Sequence, residues 1–115
     1  MSQLQKNIII TSVGHFLIHL MTTILPVILI ILEKEFSVSL ILLGELLTIQ
    51  ILFLGLGGFP AGILADRFGS RAVLKVYFAG LVIASVWLYL ATTFIMTAIG
   101  IGFLGLITGL YHPAG

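Results

Sequence analysis

The sequence predicts an all-α membrane protein with four transmembrane helices. Three observations carry this. Hydrophobic residues make up 60% of the 115-residue chain and charged residues only 8%, where a soluble domain has roughly 25% charged residues. The apolar residues fall into four long runs, and about 20 such residues cross the bilayer core as a helix. The runs do not alternate apolar and polar positions, as barrel strands do. Four spans use almost the whole length, so no extramembrane domain is expected.

Composition also excludes function classes. The absence of cysteine removes disulfides and thiolate metal sites. A net charge of +1 with no basic cluster gives nucleic acid nothing to bind. No nucleophile–base pair, phosphate loop or metal motif is present, so neither an enzyme nor a cofactor is expected. The first apolar run is far longer than the roughly 7–15 residues of a signal-peptide core, so no cleaved leader is expected.

Residues 1–7 form a short polar lead with one charge, Lys6. The first span covers about 8–32 and carries His15, His19 and Pro26, the last a kink-forming residue in a spanning helix. Glu33-Lys34-Glu35 begin a first loop, and Ser39 is a suitable N-cap for the next helix. The second span covers about 40–65, with Glu45 and Gln50 early and Gly55, Gly57, Gly58 and Gly62 late. Gly58 and Gly62 have the four-residue spacing that lets two helices approach closely. The third span, about 72–91, places Trp87 and Tyr89 where an interfacial aromatic belt belongs. Thr92 and Thr93 mark a short turn. The fourth span, about 94–115, has Gly100, Gly102, Gly105 and Gly109 and closes on Tyr111-His112-Pro113. Lys6, Arg67, Arg71 and Lys75 fall on one side of the membrane and only Lys34 on the other. The positive-inside rule then puts both termini in the cytoplasm.

The break between the second and third spans is the most specific stretch. It contains Gly62, Leu64, Ala65, Asp66, Arg67, Gly69, Arg71 and Leu74. Gly69 supplies the positive φ that a tight turn needs. The stretch resembles the signature loop between helices 2 and 3 of the major facilitator superfamily (MFS), Gly-x-Leu-Ala-Asp-Arg-x-Gly-Arg-Lys/Arg-x-x-Leu. Ser70 departs from it, where the family usually has a basic residue. His15-Phe16, Leu25-Pro26, Phe36-Ser37-Val38-Ser39 and Tyr111-His112-Pro113 are similar to the branch that includes fosmidomycin-resistance-type drug exporters. In that branch an acidic residue often stands where this chain has His19. The resemblance implies that the four spans correspond to helices 1–4 of an MFS N-terminal half. It also implies a bacterial or archaeal plasma membrane, and a chain that is the N-terminal fragment of a twelve-span, proton-coupled transporter working by alternating access. Its expected partners are lipid, a small-molecule substrate, protons and the missing remainder of the transporter. In the family the aspartate at the position of Asp66 latches against a helix of the other half; without that half it has no receiver, and Asp66, Arg67 and Arg71 are then expected to serve positive-inside anchoring and the turn.

Several polar residues can carry chemistry. His15 and His19 are four apart, hence on one helix face about 6 Å apart along the axis. Imidazole changes charge near neutrality, so a pair facing a wet cavity can bind substrate or relay protons; the alternative is a hydrogen bond to a neighbouring helix. No third ligand stands at a spacing suited to a metal. His112 should lie at the depth of His15, and the resemblance lines the cavity with helices 1 and 4, so the two should face one cavity at one level. Glu45 can carry the coupling proton, but its shallow depth favours snorkelling to the outer surface or a bond to a neighbouring helix; Gln50 is a candidate neutral substrate contact. Two rivals stay open. One is a small four-helix exporter acting as a homo-oligomer, although such proteins carry a glutamate where this first span has histidines. The other is a non-transporting packing or regulatory protein of the membrane.

Overall fold

The computed structural model describes residues 1–114. They form four α-helices and no strand: α1 (Gln3–Phe36), α2 (Leu40–Phe68), α3 (Ser70–Leu90) and α4 (Phe94–Gly109). The bundle measures 50 × 29 × 20 Å. The long axis is that of α1, whose 34 residues extend about 51 Å at 1.5 Å each. The first three helices are long and apolar enough to cross a membrane, and α4 is shorter.

The helices overrun the apolar runs at both ends of α1. The polar lead is the first turn of the helix. Ser2 Oγ accepts from the Gln5 amide at 3.2 Å and the Gln5 side chain accepts from the Ser2 amide at 2.7 Å, a reciprocal cap. At the far end Glu33-Lys34-Glu35 remain helical, and the loop expected there shrinks to residues 37–39. Glu and Lys are good helix formers, so the helix continues where the apolar run stops. Ser37, at φ 51°, ends it. Ser39 caps α2 as expected, accepting from the Leu42 amide at 3.2 Å.

Between α2 and α3 the chain reverses on a single residue. Gly69 has φ 82°, donates to the Ala65 carbonyl at 2.8 Å, and accepts from the Ala72 amide at 3.0 Å. Asp66, Arg67 and Phe68 are therefore the last residues of α2 rather than loop. Thr93 caps α4 by accepting from the Met96 amide at 3.2 Å. Where the sequence suggested a fourth span reaching residue 115, α4 stops at Gly109. Pro113 has no N–H for the Gly109 carbonyl, and its ring disfavours helical geometry before it. The chain tightens instead into turns, with Leu110 donating to Ile107, Tyr111 to Thr108 and Ala114 to Tyr111.

α4 is the hub. Its buried residues include Gly100, Gly102, Gly105 and Gly109. A Cβ at Gly105 would strike the Gln50 carbonyl, one at Gly109 the Leu54 carbonyl, and one at Gly57 the Leu106 carbonyl. Backbone thus meets backbone along α2 and α4. The expected pair Gly58 and Gly62 is not the tight one: Gly58 has 3.6 Å to the Gly109 oxygen and Gly62 has 4.0 Å to Pro113 Cβ. Gly57 carries the approach because it continues the buried stripe of Leu43, Leu46, Gln50 and Ala61 at the helical period, while Gly58 lies 100° further round. On the other side of α4, Ile107 fills the notch at Gly80 of α3.

α1 is the least enclosed helix, and polar groups fasten it. Tyr77 of α3, fully buried, donates to the Gly14 carbonyl at 3.0 Å. Tyr111 donates to the Thr11 carbonyl, and its ring sits where a Cβ on Gly14 would be. The two tyrosine rings lie 5.2 Å apart. A glycine notch and two phenol hydroxyls therefore anchor the first half of α1.

Candidate functional site

The fastening brings α1 and the end of α4 side by side, and the histidines gather there. His15 and His19 sit on one face of α1 with their Nε2 atoms 3.0 Å apart. One ring must donate and the other accept, so the bonded pair requires one Nε2–H and one free lone pair. Pro113 ends α4 and puts His112 in the following turn, where its ring centre lies 6.4 Å from that of His15. Tyr111 packs edge-on against both, 6.0 Å from His15 and 6.1 Å from His112, so the three ring centres form a triangle. All three histidines are exposed.

Beside them is a groove of about 310 Å³ bounded by α1, α2 and the His112 turn. His19, Thr22, Gln50 and His112 are its polar lining, set among Ile18, Leu47 and Leu54. Gln50 is 3% exposed, and its amide donates to the Met21 carbonyl of α1 at 3.4 Å. That leaves its own carbonyl oxygen to accept from a ligand. Pro26 also lines the groove. Lacking an N–H, it leaves the Thr22 carbonyl without its helical donor, a further acceptor at the wall.

Four of the five polar candidates, His15, His19, Gln50 and His112, are thus brought together. Glu45 is not. It stands five residues before Gln50, about 140° around α2, and is exposed on a face bordering neither groove of the bundle. The signature residues lie at the end of the bundle where α2 turns into α3. Asp66, Arg67 and Arg71 are exposed, Gly69 makes the turn, and the Arg67 guanidinium lies 5.4 Å from the centre of the Phe68 ring. Leu64 is exposed, and Gly62 faces Pro113. Tyr77, Tyr111 and Thr22 were not singled out by the sequence as site-builders. A tyrosine inside an apolar run must find a partner for its hydroxyl, and that signal marks the first two.

Helices of this length and hydropathy, packed backbone to backbone, define an integral, multi-pass membrane protein. The family model of the Major Facilitator Superfamily matches residues 11–115, and the chain belongs to that superfamily. Its general function is therefore membrane transport rather than catalysis. No curated protein and no solved structure matches the chain.

Proposed function

We propose that the chain forms helices 1–4 of a proton-coupled secondary transporter that exports a small molecule or drug by alternating access. The His15–His19–His112 cluster and Gln50 form one wall of its pathway, and further helices form the opposite wall. The observation that carries this reading is the convergence of three histidines, from α1 and from the turn after α4, at the edge of one groove.

The chemistry follows from the hydrogen bond. A bonded His15–His19 pair keeps one Nε2 lone pair engaged with the neighbouring Nε2–H. A further proton on that lone pair makes both nitrogens donors and the accepting ring cationic, so the bond breaks and the rings separate. Loss of the proton restores it. Proton binding is thereby tied to a side-chain rearrangement at the groove, and His112 is the next imidazole in reach. Gln50 and the Thr22 carbonyl offer neutral acceptors to a substrate. The basic end of the bundle, with Lys6, Arg67, Arg71 and Lys75, faces the cytoplasm in this reading. Resemblance of the His15-Phe16 and Tyr111-His112-Pro113 stretches to drug exporters supports the outward direction. Asp66 at the end of α2 serves as the latch toward the opposite half.

The test uses inverted membrane vesicles in which an imposed pH gradient, acid inside, drives uptake of a cationic dye such as ethidium or of other small-molecule probes. His15→Gln and His19→Gln should abolish gradient-driven uptake while leaving downhill exchange of the same probe. Full gradient-driven uptake in the double variant would overturn the role given to the pair.

A further inference from the structure

A second, larger groove lies away from the histidines, between the first halves of α1 and α3, with a volume of about 760 Å³. Polar residues form one stripe on each wall, beside apolar ones. Gln3, Asn7 and Thr11 recur every fourth residue and form one stripe on α1, with the Gln3 amide donating to the Asn7 side chain at 3.0 Å. Opposite them on α3 stand Arg71 and Lys75, also four apart and both exposed. Beside these stripes stand Ile10 and Leu74, at the levels of Thr11 and Lys75, and beyond them Val13 of α1 and Phe78 of α3. Among the described residues no acidic side chain lines the groove.

The groove straddles the headgroup boundary and reaches only the outer part of one leaflet. From Gln3 to Val13 a helix rises about 15 Å and from Ser70 to Phe78 about 12 Å. Half of a bilayer's hydrocarbon core is about 15 Å. α1 and α3 both start at the basic end of the bundle, so Arg71 lies at headgroup depth, the longer Lys75 one turn below it snorkels back to that depth, and Val13 and Phe78 meet the first part of an acyl chain. Basic pockets between transmembrane helices recognise anionic headgroups.

We propose that this groove is a binding site for one anionic phospholipid, its phosphate held by Arg71 and Lys75 and an acyl chain laid between Ile10, Val13, Leu74 and Phe78. The charge argument selects the occupant: two cations with no acidic side chain beside them among the described residues attract an anion, which a neutral helix or a second copy of α1 does not supply. The site would tie α1, the least enclosed helix, to α3 on the side where Tyr77 holds it from within.

The test uses the 115-residue chain purified from vesicles of equal parts phosphatidylglycerol and phosphatidylcholine, with retained lipid read by native mass spectrometry. The wild type should retain phosphatidylglycerol. The pair Arg71→Gln and Lys75→Gln should hold it about 30-fold more weakly, at about fivefold per cation removed. The pair Lys6→Gln and Arg67→Gln removes the same charge from the same end but outside the groove, and should retain the lipid. Ile10→Trp keeps every charge but fills the acyl channel, and should also lose the lipid. Equal loss in both charge pairs would reduce the effect to surface attraction and overturn the site. So would equal retention of the two lipids, the result expected if protein covers the groove.

Discussion

Replacing Gly109 by alanine tests the backbone-to-backbone packing that sets the position of α4, and with it His112. A Cβ there would lie 2.9 Å from the Gly58 amide nitrogen and 3.0 Å from Gly57 Cα, with the Leu54 carbonyl closer still. Ordinary carbon contacts are about 3.5–4.0 Å, so the two helices must part locally by about 0.5–1 Å. All three obstructing atoms are backbone and cannot rotate away. Overpacking costs roughly 1–3 kcal/mol, and a rigid obstruction on both sides places Gly109→Ala at about 2–3 kcal/mol. That is a 30- to 150-fold shift in the folding equilibrium, at about tenfold per 1.4 kcal/mol. Gly55 is the internal control, since nothing lies within 4 Å of its ideal Cβ. Gly55→Ala should be neutral or stabilising by up to about 1 kcal/mol, the helix-propensity difference. Both are measured by titrating dodecyl sulfate into mixed micelles and following Trp87, the one tryptophan of the chain, which donates to the Met96 carbonyl of α4 at 2.8 Å. A Gly109→Ala variant as stable as the wild type, or less damaged than Gly55→Ala, would refute the packing argument.

The remaining predictions concern the turn and the fastening of α1. Gly69→Ala forces a side chain into φ 82° and should cost about 1–2 kcal/mol in the same titration, although nothing obstructs its Cβ. Tyr77→Phe deletes one buried hydrogen bond without changing the ring. It should cost about 0.5–1.5 kcal/mol and raise hydrogen exchange in the first half of α1 more than in α4.

Much of the fold was legible because a membrane demands it. Four runs of the required length give four helices, and Ser39 and Gly69 announce a cap and a turn by chemistry alone. The helix ends were less legible. A hydropathy run records where lipid would stop, whereas Glu33-Lys34-Glu35 stay helical by propensity and α4 yields to Pro113. The tight glycine was misassigned because spacing alone ranks Gly58 and Gly62 as highly as Gly57. Only the buried stripe through Leu46, Gln50 and Ala61 distinguishes them. In the site, the shared face of His15 and His19 follows from four-residue spacing. The nearness of His112 to that face rests on the Tyr111 ring packing into the Gly14 notch, a contact between residues 97 positions apart that no local pattern contains. Glu45 and Gln50 looked alike as polar interruptions of one span. The 140° between them sends one into the groove and the other to the outside.

The most direct test of the histidine wall is whether its groove is wet in the membrane. The chain has no cysteine, so single replacements can be read with a charged, membrane-impermeant thiol reagent, which reacts with a thiolate in water. Thr22→Cys sits in the groove, while Val27→Cys lies on the exposed apolar side of α1. In reconstituted vesicles the first should react readily and the second should stay silent. Equal silence at both positions would mean that lipid or a dry helix covers the groove, and that the histidines hold the bundle together instead of carrying protons.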